Sequence, residues 1–263
     1  MAAVDIAVAA ETQLPTSGGA AAHIMNANIR GIGFDLGETL IYYRDTPLSW
    51  ATLYHDALRC VAKACDAAPV PEQFAAAEQI LTRHNTRIIP RSHEVPAEEI
   101  LSLVLRSWGL EAAGHLPAAI EAFFTFFQQH MSVYNDTIPM LKLLRQRGVP
   151  VGILTDVPYG MPRTFVQRDL DGAGISGLFD VLLTSVEVGV RKPEPAGYLT
   201  LAARLGVHPR EMLYVGNEPK DVTGACRAGV IAAFLDRTGD GGRHGQQFTI
   251  PALSSIHDLV GIT

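Results

Sequence analysis

The sequence predicts an α/β protein, with a Rossmann-like parallel sheet as its core domain and an all-helical cap domain inserted after the first strand. Two observations predict this fold. Beyond about residue 137, short apolar runs alternate with stretches of helical periodicity, which is typical of a parallel sheet covered by helices on both faces. Between about residues 46 and 133 there is no strand pattern, and apolar residues recur at three- and four-residue steps. We therefore expect a core domain from residues 26–45 and 134–263 and a cap domain from residues 46–133.

The individual elements follow from the same patterns. A first strand is predicted over residues 29–35, where an apolar run ends at Asp35. Pro71, Pro96 and Pro117 stand at or near the starts of cap helices, where a missing N–H costs little. The four cap helices are predicted over residues 47–66, 71–87, 96–109 and 116–133. In the alternating part, helices are predicted over 138–148, 162–171, 195–205 and 221–228, and strands over 151–156, 179–185, 211–217 and 231–236.

Composition narrows the classes of partner and the compartment. The net charge of −6 and the absence of a cluster of Lys and Arg argue against binding to nucleic acid. No run of 18 apolar residues is present, so we expect no membrane span. Three cysteines in 263 residues argue against a disulfide framework and favour a reducing, cytoplasmic location. Residues 1–25, rich in Ala and Gly, are expected to form a flexible tail, and monomer and homodimer both stay open.

Polar side chains follow the carboxyl ends of four predicted strands. Asp35 ends the first strand, and Thr155-Asp156 ends the second. Lys192 follows the third strand, and the segment GNEPKD, residues 216–221, follows the fourth. Because the carboxyl ends of parallel strands lie along one edge of a sheet, we expect a carboxylate, a hydroxyl, an ammonium group and an acidic cluster to meet in one crevice.

This combination of groups suits a reaction at phosphorus. A carboxylate such as Asp35 can attack a phosphoryl group and form an aspartyl-phosphate, provided that the negative charges are offset. Mg²⁺ held by hard oxygen ligands supplies part of that offset. Lys192 can supply more, and the Thr155 hydroxyl and nearby backbone N–H groups can bind the remaining phosphoryl oxygens.

The same segments resemble the four motifs of the haloacid dehalogenase-like (HAD) superfamily, in order, from residue 29 to about residue 240. The most specific part runs from residue 185 to residue 230 and contains GVRKPEP and GNEPKD. The resemblance implies that Asp35 is the nucleophile and a metal ligand, that Thr155 binds phosphate, and that Lys192 steadies both. It also implies a Mg²⁺ cofactor, held in part by Asn217 and Asp221, and a helical cap of the C1 type.

Two positions depart from the family pattern Asp-x-Asp-Gly-Thr and its acidic metal motif. Gly37 stands where the second Asp acts as general acid/base; its backbone carbonyl can still serve the metal, but it cannot carry a proton. Glu38 is the nearest replacement, with a surface turn residue as the alternative interpretation. Asn217 stands where an acid is usual, and Asn is a neutral, weaker metal ligand.

Further residues are candidates for substrate binding. Asp156 lies beside Thr155, with turn formation or helix capping as its alternative role. Arg44 follows the first motif, and Arg87 and Arg91 flank a break between cap helices, so each could meet an anionic substrate. The alternative for these arginines is a solvated surface. Of the three, we include Arg44 in the predicted site.

The sequence thus predicts a Mg²⁺-dependent hydrolase that removes phosphate from a small phosphorylated metabolite through an aspartyl-phosphate on Asp35. One alternative is a haloacid dehalogenase-type hydrolase, whose first motif would carry Tyr-Gly where this chain has Gly37-Glu38. Another is a catalytically weak protein of the same fold that binds a phosphorylated ligand, which Gly37 and Asn217 favour. The cap sequence does not identify the substrate.

Overall fold

A computed structural model describes residues 28–259. Six strands form one sheet and two short strands form a ribbon. The strands are β1 (Gly31–Phe34), β2 (Ile41–Tyr43), β3 (Met131–Val133), β4 (Val151–Thr155), β5 (Val181–Thr184), β6 (Met212–Gly216), β7 (Ile231–Leu235) and β8 (Phe248–Ile250). The helices are α1 (Tyr54–Ala64), α2 (Pro71–His84), α3 (Ala97–Ser107), α4 (Ala112–Phe127), α5 (Thr137–Gln146), α6 (Arg163–Gly172), α7 (Ser185–Val188), α8 (Ala196–Leu205), α9 (Pro219–Arg227) and α10 (Ile256–Leu259).

The six-stranded sheet has the order β5-β4-β1-β6-β7-β8, and all its strand pairs are parallel. β1 lies in the middle, with Phe34 opposite Ile153 of β4 and Val215 of β6. The chain adds β4 and β5 on one side of β1 and then β6, β7 and β8 on the other side. Open α/β sheets bind ligands at such a switch point. The predicted Rossmann-like parallel sheet is confirmed.

Paired glycines let one helix lie close to the middle of this sheet. Gly33 of β1 stands opposite Gly152 of β4. A Cβ atom at either position would come within 2.8 Å and 2.6 Å, respectively, of the Leu201 side chain on α8. The missing side chains therefore make room for α8, a close approach that glycine in a strand commonly marks.

Helices α1 to α4 lie between β2 and β3 in the sequence and pack against one another as one helical block, which we call the cap. Their buried residues include Leu58, Leu81, Leu101 and Phe123. Trp50, just before α1, stacks on Phe127 with ring centroids 3.8 Å apart. Its ring also lies 5.4 Å from that of Tyr159, which follows β4, so aromatic packing ties the cap to the core.

Several predicted boundaries are wrong. The helix predicted over 116–133 is α4, which begins at Ala112, five residues before Pro117, and ends at Phe127. Residues 131–133 instead form β3, which pairs antiparallel with the unpredicted strand β2. The helix predicted over 71–87 ends at His84, because Asn85 takes an extended conformation. The strand predicted over 179–185 spans only Val181–Thr184, since Thr184 caps α7. The expected tail, residues 1–25, lies outside the described residues.

Candidate active site

Asp35 lies at the carboxyl end of the central strand and is 7% exposed. Its backbone N–H continues the sheet by donating to the Val215 carbonyl at 2.9 Å. The carboxylate lines a cavity of about 150 Å³ between the core and the cap, together with Thr155 of the neighbouring strand. The central strand therefore fixes the backbone of this carboxylate and presents it to a pocket.

Lys192 binds the Asp35 carboxylate directly. Its Nζ lies 2.5 Å from Asp35 Oδ1 and 2.6 Å from Asp221 Oδ1, and its side chain is only 2% exposed. The same Nζ donates to the Tyr214 hydroxyl at 3.3 Å. The backbone N–H of Lys192 donates to Asp156 Oδ1 at 3.0 Å. Through its ammonium and its backbone N–H, Lys192 thus joins three segments that are far apart in sequence, those of Asp35, Asp156 and Asp221.

The protonation of this pair follows from burial and charge. Burial raises the pKa of Asp35 to about 7, although the ammonium of Lys192 acts in the opposite direction. Burial alone would lower the pKa of Lys192, but Asp221 and Asp35 outweigh it and hold that pKa well above its ordinary value. Lys192 is therefore charged at neutral pH, and extra positive charge beside Asp35 would favour the ionised carboxylate.

Asp156 forms ion pairs with basic side chains of the protein. Its Oδ2 accepts from Lys220 Nζ at 3.1 Å, and Arg191 lies 3.9 Å away. Burial acts to raise the pKa of Asp156, but Lys192, Lys220 and Arg191 together lower it below its usual range. Although Asp156 lines the cavity, its contacts are those of a residue that positions Lys192 and Lys220.

Gly37 and Glu38 form the turn that follows Asp35. Both line the cavity. Gly37 does not need the left-handed conformation, and a Cβ atom there would meet nothing within 4 Å. Glu38 is the residue with positive φ, at 58°. Its carboxylate accepts a hydrogen bond from the Tyr134 hydroxyl at 2.9 Å, so it has a fixed protein partner.

Asn217 and Asp221 are placed by the loop after β6 and by α9. The Asn217 side-chain oxygen accepts from the Thr39 hydroxyl at 3.0 Å. Asp221 is fully buried, and besides Lys192 it accepts at Oδ2 from the Glu218 backbone N–H at 2.9 Å. Asn217 is thus oriented by one contact, whereas both oxygens of Asp221 have partners within the protein.

Oxygen donors at this end of the sheet fit the ligand preference of Mg²⁺. The Asp35 carboxylate, the Gly37 carbonyl and the Asn217 amide oxygen are hard donors on two adjacent loops. A Cβ atom at Gly37 would meet nothing within 4 Å, so there is open space beside this turn. Asp221 contributes negative charge through Lys192 rather than a free oxygen.

The cap supplies a cation that the sequence offered as a candidate but that we did not include in the predicted site. Arg87 lines the cavity and makes two hydrogen bonds to the Glu218 carboxylate, at 2.8 and 2.5 Å. Arg44, which the sequence placed in the site, is exposed beyond β2 and is not among the residues that line the cavity. Arg91 instead pairs with Glu94 at 3.3 Å.

A buried ion pair that the sequence did not predict docks the cap loop beside the site. Arg191 Nη1 lies 2.5 Å from Glu94 Oε2, and the two side chains are 6% and 3% exposed. Ser185 also donates to Glu94 Oε2, at 2.6 Å. Arg191 adjoins Lys192 in the sequence, which is the one signal that could have marked it; Glu94 carries none.

Comparison with known proteins identifies the family. A family model described as a haloacid dehalogenase-like hydrolase matches residues 29–229. The chain belongs to the haloacid dehalogenase-like hydrolases. A phosphoglycolate phosphatase from Shigella dysenteriae is 30% identical to this family member over 223 residues, which cover 79% of this chain and 81% of that one. A phosphoserine phosphatase from Thermus thermophilus is 38% identical over 133 residues, covering 49% and 51%.

Solved structures of haloacid dehalogenase-like proteins share the fold. A HAD phosphatase from Thermococcus onnurineus has a TM-score of 0.61 at 24% identity and covers 89% of this chain and 98% of its own. A 2-haloacid dehalogenase from Pseudomonas syringae has a TM-score of 0.63 at 21% identity, with the same coverage. Within residues 28–259, this hydrolase has no helix of the length and apolarity that crossing a membrane requires.

Proposed function

We propose that this hydrolase removes phosphate from small phosphomonoesters and that Asp35 forms an aspartyl-phosphate. The observation that carries the proposal is the buried Asp35 carboxylate at the carboxyl end of the central strand. It lines a cavity and pairs with Lys192 at 2.5 Å. A carboxylate in this setting can act as a covalent nucleophile. The similarity to phosphoglycolate and phosphoserine phosphatases supports phosphate as the group transferred.

In the first half-reaction, an oxygen of Asp35 bonds to phosphorus while the bond from phosphorus to the leaving oxygen breaks, and that oxygen takes a proton from solvent to form the alcohol. Lys192 keeps Asp35 oriented and balances negative charge on the phosphoryl oxygens. The Thr155 hydroxyl, at the end of the adjacent strand, donates to one of those oxygens. In the second half-reaction, water attacks the phosphorus and gives a proton to solvent, and the bond between phosphorus and the Asp35 oxygen breaks, which releases phosphate and restores the carboxylate.

We also propose a Mg²⁺ ion held by Asp35, the Gly37 carbonyl and Asn217, with Asp221 acting through Lys192. When bound, the ion would offset the charge of the phosphate and favour the ionised form of Asp35. The chain's own contribution is to orient these donors, as Thr39 does for Asn217 at 3.0 Å.

The cap and the compartment complete the proposal. We place the cap domain at residues 46–133 and the core at residues 26–45 and 134–263, with the substrate entering between them. The cavity of about 150 Å³ suits a small metabolite. Three free cysteines support a reducing, cytoplasmic location.

Turnover of p-nitrophenyl phosphate, phosphoglycolate and phosphoserine, each with Mg²⁺ and with excess EDTA, tests the proposed function. We expect Mg²⁺-dependent phosphate release from at least one of them. A parallel assay follows halide release from 2-chloropropionate. Halide release without phosphate release would establish the dehalogenase alternative, and binding of phosphoglycolate without turnover of any compound would establish a ligand-binding protein.

A further inference from the structure

A second cavity, of about 100 Å³, adjoins the catalytic one. We call it the apolar annex. The two cavities share the lining residues Gly37, Tyr43, Trp50, Thr155, Asp156 and Pro158. The other walls of the annex are mostly apolar and include Leu36, Ile41, Phe127, Met161 and Val166. A group bound at Thr155 therefore has a short apolar space beside it.

Two hydrogen-bond acceptors lie in the wall of the annex. Asp169 of α6 is 5% exposed and accepts a hydrogen bond from the Tyr43 hydroxyl. No Lys or Arg of residues 28–259 forms an ion pair with it; the neighbouring Arg168 pairs with Glu121 instead. Burial raises the pKa of Asp169, although hydrogen bonds from the Tyr43 and Gln128 side chains and the charge of Arg168 act in the opposite direction.

The second acceptor is the side-chain oxygen of Gln128, at the end of α4. The amide nitrogen of Gln128 donates to the Phe165 carbonyl at 2.7 Å. This hydrogen bond fixes the orientation of the amide and so identifies which of its two terminal atoms is the oxygen. That oxygen is buried and has no hydrogen-bond partner among the described residues. Gln128 lines the annex, and buried polar atoms are nearly always satisfied, so this orphaned acceptor marks a place for a donor.

We infer that the apolar annex binds the alcohol portion of the substrate and that this portion carries a hydrogen-bond donor, a hydroxyl or an ammonium group, for Asp169 and Gln128. The inference rests on the proposed function, because it places the phosphate at Asp35 and Thr155. The substrate class is then a phosphomonoester in which a short apolar linker separates the phosphate from the donor. Apolar walls with a few convergent polar groups are the usual build of such a subsite.

A matched set of three phosphates tests this subsite: n-propyl, 3-hydroxypropyl and 3-aminopropyl phosphate. We expect at least one donor-bearing ester to exceed propyl phosphate in kcat/KM by about 10-fold or more, because a site built to bind a donor penalises its absence. The hydroxyl and ammonium arms show which donor is preferred. Equal kcat/KM values for all three esters would overturn the inference.

Substitutions separate binding in the annex from a purely structural joint between cap and core. Asp169→Asn and Gln128→Met should reduce the preference for the donor-bearing ester towards unity. The exposed neighbours Asp171→Asn and Gln129→Met are matched controls and should keep it. A lower melting temperature in the two annex variants, with an unchanged preference for the donor-bearing ester, would mean that Asp169 and Gln128 only join the domains.

A binding measurement keeps this inference separable from the proposed function. Calorimetry with the Asp35→Asn variant gives the affinity of the three esters without turnover. Tighter binding of a donor-bearing ester supports the annex even if the wild type hydrolyses none, in which case only the proposed function fails. Turnover of all three esters with equal affinities means that the annex inference fails and the proposed function stands.

Discussion

Arg87 of the cap holds both carboxylate oxygens of Glu218 in the core, at 2.8 and 2.5 Å. Arg87 and Glu218 both line the cavity at Asp35, so this contact joins the helical block to the loop after β6 across that cavity. Burial acts to raise the pKa of Glu218, but Arg87 and Lys220 outweigh it and lower that pKa. An anionic group of the substrate that reaches Arg87 must therefore compete with an ionised carboxylate.

Replacing Arg87 with Met should weaken binding of substrates that carry a second anion. We expect KM for phosphoglycolate to rise about 10-fold, the size of one charge-assisted hydrogen bond, with a smaller effect on p-nitrophenyl phosphate. Steady-state kinetics of both substrates measure the difference. Arg83→Met, on the exposed side of α2, is the control. An equal change in KM for both substrates would remove Arg87 from substrate recognition.

Asp35→Asn should abolish turnover and preserve the fold. An amide is a poor nucleophile of similar shape, and removing a covalent catalyst costs on the order of 10³-fold or more. Lys192 keeps its contact with Asp221 at 2.6 Å, so a large fall in melting temperature is not expected. The same substitution at the exposed Asp45 controls for handling and purity. Retention of a tenth or more of wild-type activity would exclude Asp35 as the nucleophile.

The convergence of Asp35, Thr155 and Lys192 was predictable from the sequence, because strand ends in a parallel sheet lie along one edge. Short apolar strands between helices identify such a sheet before any distance is known. The same reasoning explains why the centre of the fold agrees with expectation. In contrast, β2 and β3 have only three residues each, which is too short for a recognisable strand pattern, and β3 lies within the helix predicted over 116–133.

Contacts that depend on how the two domains meet were not predictable. Arg87 meets Glu218 across 131 positions, and neither residue has a motif that links it to the other. Asp169 shows the same limit, since α6 carries no signal that its carboxylate faces Tyr43 of β2. Placing such pairs requires the orientation of the cap on the core, which side-chain packing decides.

Restoring the acid at position 217 should strengthen metal binding. Asn217→Asp adds a charge where the side-chain oxygen already accepts from Thr39 at 3.0 Å, so the orientation is preserved. We expect the Mg²⁺ concentration for half-maximal activity to fall by roughly 10-fold, since ligand charge tunes affinity. A titration of activity with Mg²⁺ measures it. Asn135→Asp makes the same charge change at an exposed position and should leave the titration unmoved.

Arg237 should stabilise the fold in a pH-dependent way. Its guanidinium makes two bonds to Asp136, at 2.9 and 3.0 Å, and one to the Thr39 carbonyl at 3.0 Å. Burial acts to raise the pKa of Asp136, but Arg237 and the backbone of Leu253 lower it. A lowered folded pKa means stability that is present above the unfolded pKa of about 3.9 and lost as the pH falls through the folded value.

Arg237→Met should therefore lower the free energy of unfolding at pH 7 by about 1–3 kcal/mol. The difference from the wild type should shrink as the pH falls below about 4, because Asp136 then becomes protonated in both proteins. Urea denaturation at pH 7 and pH 3 measures both values. Arg243→Met, at an exposed position, is the control. A difference that does not depend on pH would assign the effect to packing of Arg237 on the Tyr134 ring, 4.0 Å away.

Gly37→Asp should raise the rate of hydrolysis, because it places a carboxylate at a point where the turn has room for a side chain. Gly37 has no positive φ, and a Cβ atom would meet nothing within 4 Å. A carboxylate at this position would carry a proton to the leaving group and from the attacking water, help that is worth roughly 10²–10⁴-fold. Gly37→Asn is the control, because Asn is similar in size to Asp but cannot transfer the proton. Single-turnover kinetics of both variants and of Glu38→Gln measure each half-reaction: no gain in Gly37→Asp, with a large loss in Glu38→Gln, would mean that Glu38 already transfers the proton.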